Sequence, residues 1–192
     1  MEKLIGLKKI KTAVFISGTG SNLKNIIKFS KLKKSPISIL LIVSNTNKAK
    51  GLSYAYQFKI EKKIFNFKDF DKAEKNIITL LQKKKIKLIC LAGFMKILSK
   101  KFIKIFGGKI INIHPSLLPK YKGLNTHSRA IKNKDKFAGC TVHHVTGNLD
   151  SGKIILQRKI KIAAADNTIS LKKKVLKQEH KLYPAAIMKI FN

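Results

Sequence analysis

Arginine is nearly missing from this strongly basic 192-residue chain: of its 42 Lys and Arg residues, only Arg129 and Arg158 are arginine. Acidic residues are also scarce, nine Asp and Glu in all, and the formal net charge is +33. A charge of that size ordinarily points to nucleic acid. Specific recognition, however, favours the bidentate fork of arginine. The lysines here are spread along the whole chain, in company with abundant Ile, Asn and Phe. Those four residue types share A/T-rich codons, so base composition accounts for the bias. What the charge implies is nonspecific attraction to polyanions and self-repulsion at low salt, with no specific nucleic-acid partner. Cysteine is limited to Cys90 and Cys140, far apart in apolar contexts. They read as buried thiols, not as a disulfide or a metal site. No apolar run reaches the about 18 residues of a membrane span. The opening "MEKLIGLKKIKTAVFISG" has neither an uninterrupted apolar core nor a small-residue cleavage site, so no signal peptide and a cytoplasmic location are expected. Repeats and Ser/Gly linkers are absent as well. With 44% hydrophobic residues, one packed α/β domain over residues 1–192 is expected.

What is present is an alternation of buried runs and amphipathic ones. "TAVFIS" (12–17), "ISILLIVS" (37–44) and "LICLAG" (88–93) are continuous apolar runs, as in strands covered on both faces. "IFNF" (64–67) is a further candidate strand and "KIINIH" (109–114) another. Leu23, Ile26 and Ile27 recur at helical spacing, and residues 69–85 read as a helix, acidic at its start and basic at its end. A short helix is expected over 99–106. Beyond it the period changes. Residues 139–146 and 153–162 alternate apolar and polar around a Gly/Asn/Asp turn, as an antiparallel pair does. A last helix is expected from Thr168, capped by Asn167 and kinked or interrupted by Pro184. The fold class implied is α/β: a Rossmann-like, doubly wound, mostly parallel sheet with an antiparallel edge pair in the C-terminal half.

Three places carry candidate chemistry, each near the carboxyl end of an expected strand. In "SGTGSN" (17–22), Gly18 and Gly20 allow a tight turn ahead of a helix N-terminus, an anion cradle; the motif is neither a full dinucleotide fingerprint nor a Walker loop. In "IINIHPSLLPKYKGLNTH" (110–127), Asn112 and His114 stand at i and i+2 and share one strand face. An amide donor can meet a developing oxyanion, and an imidazole can move a proton in the same step. In "TGNLDSG", Asp150 lies in the turn between the antiparallel strands, where a carboxylate beside His114 would raise its pKa. His143 and His144 are adjacent, so one faces the crevice and the other does not. His127 lies in a loop or at a helix start, and His180 stands beside Glu179. No pair has metal-ligand spacing with a third ligand, so no metal is expected.

Taken in order, "VFISGTGSNLKNII", "LICLAGFMKILS", "IINIHPSLLPKYKGLNTH", "TVHHVTGNLDSGKIILQ" and "KQEHKLYP" resemble the glycinamide ribonucleotide formyltransferase family over nearly the whole chain. The resemblance implies a formyltransferase fold with an N-terminal phosphate-binding half and a C-terminal folate-binding, catalytic half. It implies direct formyl transfer from 10-formyltetrahydrofolate to the amine of 5-phosphoribosylglycinamide, in purine biosynthesis. By motif, Asn112, His114 and Asp150 fall on the catalytic trio. Gly20, Ser21 and Asn22, followed by Leu23 and Lys24, fall on the substrate-phosphate loop, and Glu179 on a contact to the glycinamide end. Met95, Lys96, Ile97 and Leu98, with Thr146, Gly147, Asn148, Leu149 and Asp150, fall on the folate pocket, which Asn112 also borders. Lys72 is the occupant considered for a poorly matched loop near the folate tail. His143 is expected to support the trio from behind. Partners implied are small molecules only, with a monomer or weak homodimer.

Three rivals stand beside this reading. A methionyl-tRNA formyltransferase-like enzyme shares the trio and "SLLP", but is expected to carry a second RNA-binding domain after the last helix. A formyltetrahydrofolate hydrolase-like enzyme would need no phosphate loop. A Lys-rich nucleic-acid-binding module would cluster its lysines on one face with aromatics between them.

Overall fold

The computed structural model describes residues 9–191. The first eight residues, part of the stretch read for a signal peptide, lie outside that range.

Apolar β-rich runs build the centre. Strands β1 (Ile10–Ile16), β2 (Ile37–Ser44), β3 (Glu61–Ile64), β4 (Leu88–Leu91), β5 (Lys109–His114), β6 (Phe137–His144) and β7 (Ile154–Lys161) form one sheet in the order β3-β2-β1-β4-β5-β6-β7. The first five are mutually parallel, whereas β6 and β7 pair antiparallel. Helices α1 (Ser21–Ser30), α2 (Leu52–Gln57), α5 (Thr126–Lys132) and α6 (Thr168–Phe191) send buried residues into one core, on Val14, Ile42 and Cys90. Helices α3 (Phe70–Lys83) and α4 (Lys100–Phe106) cover the opposite face, on Ala13, Phe15 and Ile89. Because β1, β2, β4 and β5 are covered on both faces, alternate side chains enter different cores, and their sequences read as unbroken apolar runs.

The helix ends obey local chemistry. Asp69 caps α3 through the Lys72 N–H at 3.0 Å, and Ser99 caps α4 through the Phe102 N–H at 2.9 Å. Asn167 accepts from the N–H groups of Ile169 and Ser170, both at 2.9 Å, as expected for the start of α6. Two local expectations are resolved by the structure, and one element was not expected. Pro184 does not interrupt α6, which runs through it to Phe191. The third strand is Glu61–Ile64, not 64–67. It is an exposed, charged edge, where lysines deter strand addition and apolar content gives no signal. Phe65 and Phe67 instead turn into the core beside α3. Helix α2 has no counterpart among the expected elements; it buries only Leu52 and Ala55.

Chain order reverses between β1 and β4, so a crevice opens past their carboxyl ends. The loops leaving these strands are tied together there. The Ser17 N–H donates to Gly93 O at 3.1 Å, and the Met95 N–H donates to Ser17 Oγ at 2.8 Å. Ser17 Oγ in turn donates to Asn45 Oδ1 at 2.5 Å, linking the end of β2.

Candidate active site

Strand β5 presents Asn112 and His114 on one side, and the β6–β7 connection folds back to place Asp150 between them. Asp150 Oδ2 is 3.2 Å from His114 Nδ1, and Asp150 Oδ1 is 3.5 Å from Asn112 Nδ2. The Gly123 N–H donates to Asp150 Oδ2 at 2.9 Å. Asp150 holds a left-handed backbone with φ 45°. The expected trio is therefore brought together. It is also well covered: His114 and Asp150 are only 5% and 8% exposed, with Asn112 half-buried.

His143, opposite Asn112 in the β5–β6 register, completes the cluster. Its Nδ1 faces His144 O at 2.8 Å, and a carbonyl only accepts, so Nδ1 carries the proton. Nε2 is then free to accept from Asn112 Nδ2 at 3.3 Å, and it lies 3.6 Å from Asp150 Oδ1. As strand geometry requires, His143 is buried and its neighbour His144 is half-buried on the other side.

The charge state of His114 differs from the expectation. Burial pushes its pKa below the ordinary imidazole value of 6.5, outweighing the upward pull of the Tyr121 carbonyl and of Asp150; His143 and Arg129 add to the downward side. The carboxylate is where it should be, yet desolvation wins. Asp150 behaves oppositely. Burial raises its pKa, but the neighbouring His143 side chain, the bond from the Gly123 N–H and the His114 side chain reverse this and hold it below the usual carboxylate range. At neutral pH the pair is thus an ionised carboxylate beside a mostly neutral imidazole. Both ring nitrogens have acceptors in place, Asp150 at Nδ1 and Tyr121 O at Nε2 (2.8 Å), so the ring accepts a second proton without rearranging.

The glycine loop after β1 forms the second part. Gly20 is the N-cap of α1, left-handed at φ 74°, with no side-chain cap. The first N–H groups of a ten-residue helix are therefore left for an external acceptor. A Cβ on Gly20 would come within 2.6 Å of Gly51 Cα, so the tight approach requires glycine. Gly18 and Thr19 are exposed and Ser21 half-buried. Asn22 is buried and its Nδ2 donates to Glu179 Oε2 at 2.6 Å, bringing together two expected substrate residues from distant parts of the chain. Among the described residues, Asn22 Oδ1 is buried without a partner. Burial raises the Glu179 pKa, against the bond from Asn22 and the charge of Lys172. The Leu23 side chain is wholly in the core, so only its backbone faces the loop. The Lys24 ammonium lies 5.3 Å over the Tyr54 ring.

The expected folate segments lie side by side. The stem of Lys100, at the start of α4, packs on Gly147, and Leu98 shares a core with Val145. Met95, Ile97 and Leu149 are 64%, 60% and 50% exposed, large apolar side chains left uncovered on these two segments. Lys96, Thr146 and Asn148 are exposed, Gly147 is half-buried, and Leu98 is buried. Thr146 Oγ1 accepts from the Asn148 N–H at 3.4 Å, and Ser151 Oγ donates to Asn148 O at 3.0 Å, closing this loop on itself. Lys72 is exposed in the first turn of α3 and is not part of either cluster. Among the described residues, no group of three His, Cys, Asp or Glu side chains could hold a metal. The contributions of the Tyr121 carbonyl, the Gly123 N–H and Ser17 were not foreseen. Backbone donors and acceptors have no side-chain signature; only the positive φ demanded near Gly123 hints at a special loop.

Comparison with known proteins places this geometry in context. A family model described as formyl transferase matches residues 10–187. The phosphoribosylglycinamide formyltransferase of Haemophilus influenzae is 44% identical over 184 residues, covering 94% of this chain and 86% of that protein. The human trifunctional purine biosynthetic protein adenosine-3 is 40% identical over 186 residues; the chain spans only 18% of its length. The crystal structure of phosphoribosylglycinamide formyltransferase from Brucella melitensis superposes with a TM-score of 0.91 at 40% identity, covering 95% of this chain and 96% of that one.

Proposed function

The chain belongs to the formyl transferase family, and on that premise we propose that it transfers a formyl group from 10-formyltetrahydrofolate to the amine of 5-phosphoribosylglycinamide, a step of purine biosynthesis. The observation that carries this reading is the Asp150-centred cluster standing at the same carboxyl end of the parallel strands as an uncapped glycine–helix turn suited to an anion. A phosphate suits the Gly20–Asn22 backbone and the positive end of α1. Glu179 and the unpartnered Asn22 Oδ1 are acceptors suited to the N–H groups of a glycinamide. Met95, Ile97 and Leu149 suit a pterin ring. Held at the phosphate, far from the reacting atoms, the substrate presents its amine in line.

Chemically, one C–N bond forms at the formyl carbon, one breaks, and a proton moves from the attacking to the departing nitrogen. The neutral amine attacks, and negative charge grows on the formyl oxygen. The Asn112 proton nearest Asp150, in a bond at the 3.5 Å limit, is the one free to turn to that oxygen. Such a donor is worth about 3–4 kcal/mol of barrier. The Asp150–His114 pair takes the amine proton, so the imidazolium forms in step with the oxyanion, and then returns it to the departing nitrogen.

A substrate panel tests this. With 10-formyltetrahydrofolate as donor, formylation is expected with glycinamide ribonucleotide, greatly weakened with the dephosphorylated nucleoside, and absent with methionyl-tRNA. Formylated tRNA, or hydrolysis that ignores the ribonucleotide, would move the assignment to another branch of the family.

A further inference from the structure

In a chain where lysine is the default cation, Arg129 on α5 stands out by where it lies. The loop before α5 supplies one hydrogen bond to each member of the catalytic pair: the Tyr121 carbonyl accepts from His114 Nε2 at 2.8 Å, and the Gly123 N–H donates to Asp150 Oδ2 at 2.9 Å. This loop is costly to hold. Tyr121, Gly123 and Asn125 all have left-handed backbones, at φ 57°, 76° and 58°. Glycine tolerates this, but a bulky tyrosine does so only where its surroundings over-determine it.

Arg129 makes most of those surroundings. Its guanidinium lies 4.9 Å over the Tyr121 ring. The same group donates through Nη1 to Lys122 O at 2.7 Å and, more weakly, to Leu124 O at 3.4 Å. Asn133 Nδ2 donates to the Tyr121 hydroxyl at 2.8 Å, and the Lys120 ammonium lies 5.1 Å from the ring. We propose that Arg129 is a positioning residue: its planar guanidinium stacks on Tyr121 and ties two flanking carbonyls, fixing the loop that holds His114 and Asp150. A lysine does not reproduce it, because a point cation has no flat face to stack on the Tyr121 ring while it donates to the carbonyls beside it.

The groups facing His114 are Asp150, His143, the Tyr121 carbonyl, His127 and Arg129 itself. The arginine charge works against protonation of His114, so its two contributions, shape and charge, separate by substitution. Arg129→Lys keeps the charge and loses the shape; Arg129→Met loses both.

This inference rests on the formyl-transfer reading, so the experiment has two arms. In steady-state kinetics, Arg129→Lys is expected to lower kcat by about 10- to 100-fold, as small misplacements of catalytic groups do. The KM for glycinamide ribonucleotide should change little, and the acid limb of the pH profile should move to lower pH, because the Tyr121 carbonyl that favours the imidazolium is no longer held in place. Arg129→Met should lower kcat at least as far. In the second arm, ring-proton NMR follows the titration of His114 in wild type and Arg129→Lys, without turnover. It should fall in Arg129→Lys. Wild-type kcat in Arg129→Lys, or an unmoved His114 titration in that variant, overturns the proposal. Absence of turnover in the wild type would instead defeat the functional reading, and the NMR arm would still decide the role of Arg129.

Discussion

At the scale of single residues, the site turns on how burial sets the proton balance between the Asp150 carboxylate and the His114 imidazole. Replacing His114 by Ala should lower kcat by about 10²- to 10⁴-fold, the usual contribution of a positioned acid–base group. The sign of its pH dependence follows from the shift. The folded pKa lies below 6.5, and the neutral ring is the form that accepts the amine proton. Activity should therefore be flat near neutrality and fall as pH drops through a midpoint below 6.5; a midpoint above that value in a kcat/KM profile would contradict the assignment. Asn112 and His114 stood out by their i, i+2 spacing on a strand and Asp150 as a scarce carboxylate in a turn, but it was the family resemblance that joined the three into one candidate site. The charge state of His114 was not, since desolvation is a property of the packed molecule and not of the motif. Arg129 was visible as a rare residue type, but its purpose depends on a loop conformation that composition does not encode.

At the scale of elements, the loops after β1, β2 and β4 act as one clasp. Ser17→Ala removes the hydroxyl that accepts from Met95 and donates to Asn45. Two bonds, one exposed and one half-buried, are lost, at a cost of about 1–3 kcal/mol, and the KM for the folate should rise more than that for the ribonucleotide, because Met95 belongs to the proposed folate wall. Gly20→Ala is harsher. A left-handed φ and a contact at 2.6 Å with Gly51 Cα leave no room for a methyl group, so the variant should melt earlier and lose affinity for the phosphorylated substrate, measurable by calorimetry. Most elements could be read ahead of the structure because strands covered on both faces are unbroken apolar runs, and because Asp69, Ser99 and Asn167 cap helices with familiar chemistry. Strand β3 escaped because an edge strand of sequence EKKI buries nothing. Helix α2 escaped because six residues with two buried ones carry no detectable period.

At the scale of the whole molecule, the excess of positive charge is a stability problem. Among the described residues, three lysines pair with carboxylates: Lys84 with Glu61, Lys120 with Asp135 and Lys174 with Asp166. The remaining charges repel across the surface, and salt screens them over a Debye length of about 10 Å at 0.1 M. The melting temperature should rise with sodium chloride. It should fall on acidification, for two reasons of the same sign. His114, His127, His144 and His180 all have pKa values pushed below 6.5, chiefly by burial, so below that pH the unfolded chain binds more protons. Asp135, Asp150 and Asp166 titrate below 3.8 when folded, so their stabilising contribution is lost at still lower pH. A melting temperature that rises between pH 7 and about pH 5 would refute this balance.

The central claim is that Asp150, held between His114 and Asn112, moves the proton of a formyl transfer. Its most direct measurement is the single-turnover rate of formylglycinamide ribonucleotide formation by wild type and Asp150→Asn at equal melting temperature. The expected result is stoichiometric product in the wild type and a rate at least about 10²-fold lower in the variant. Equal rates in the two proteins would contradict it.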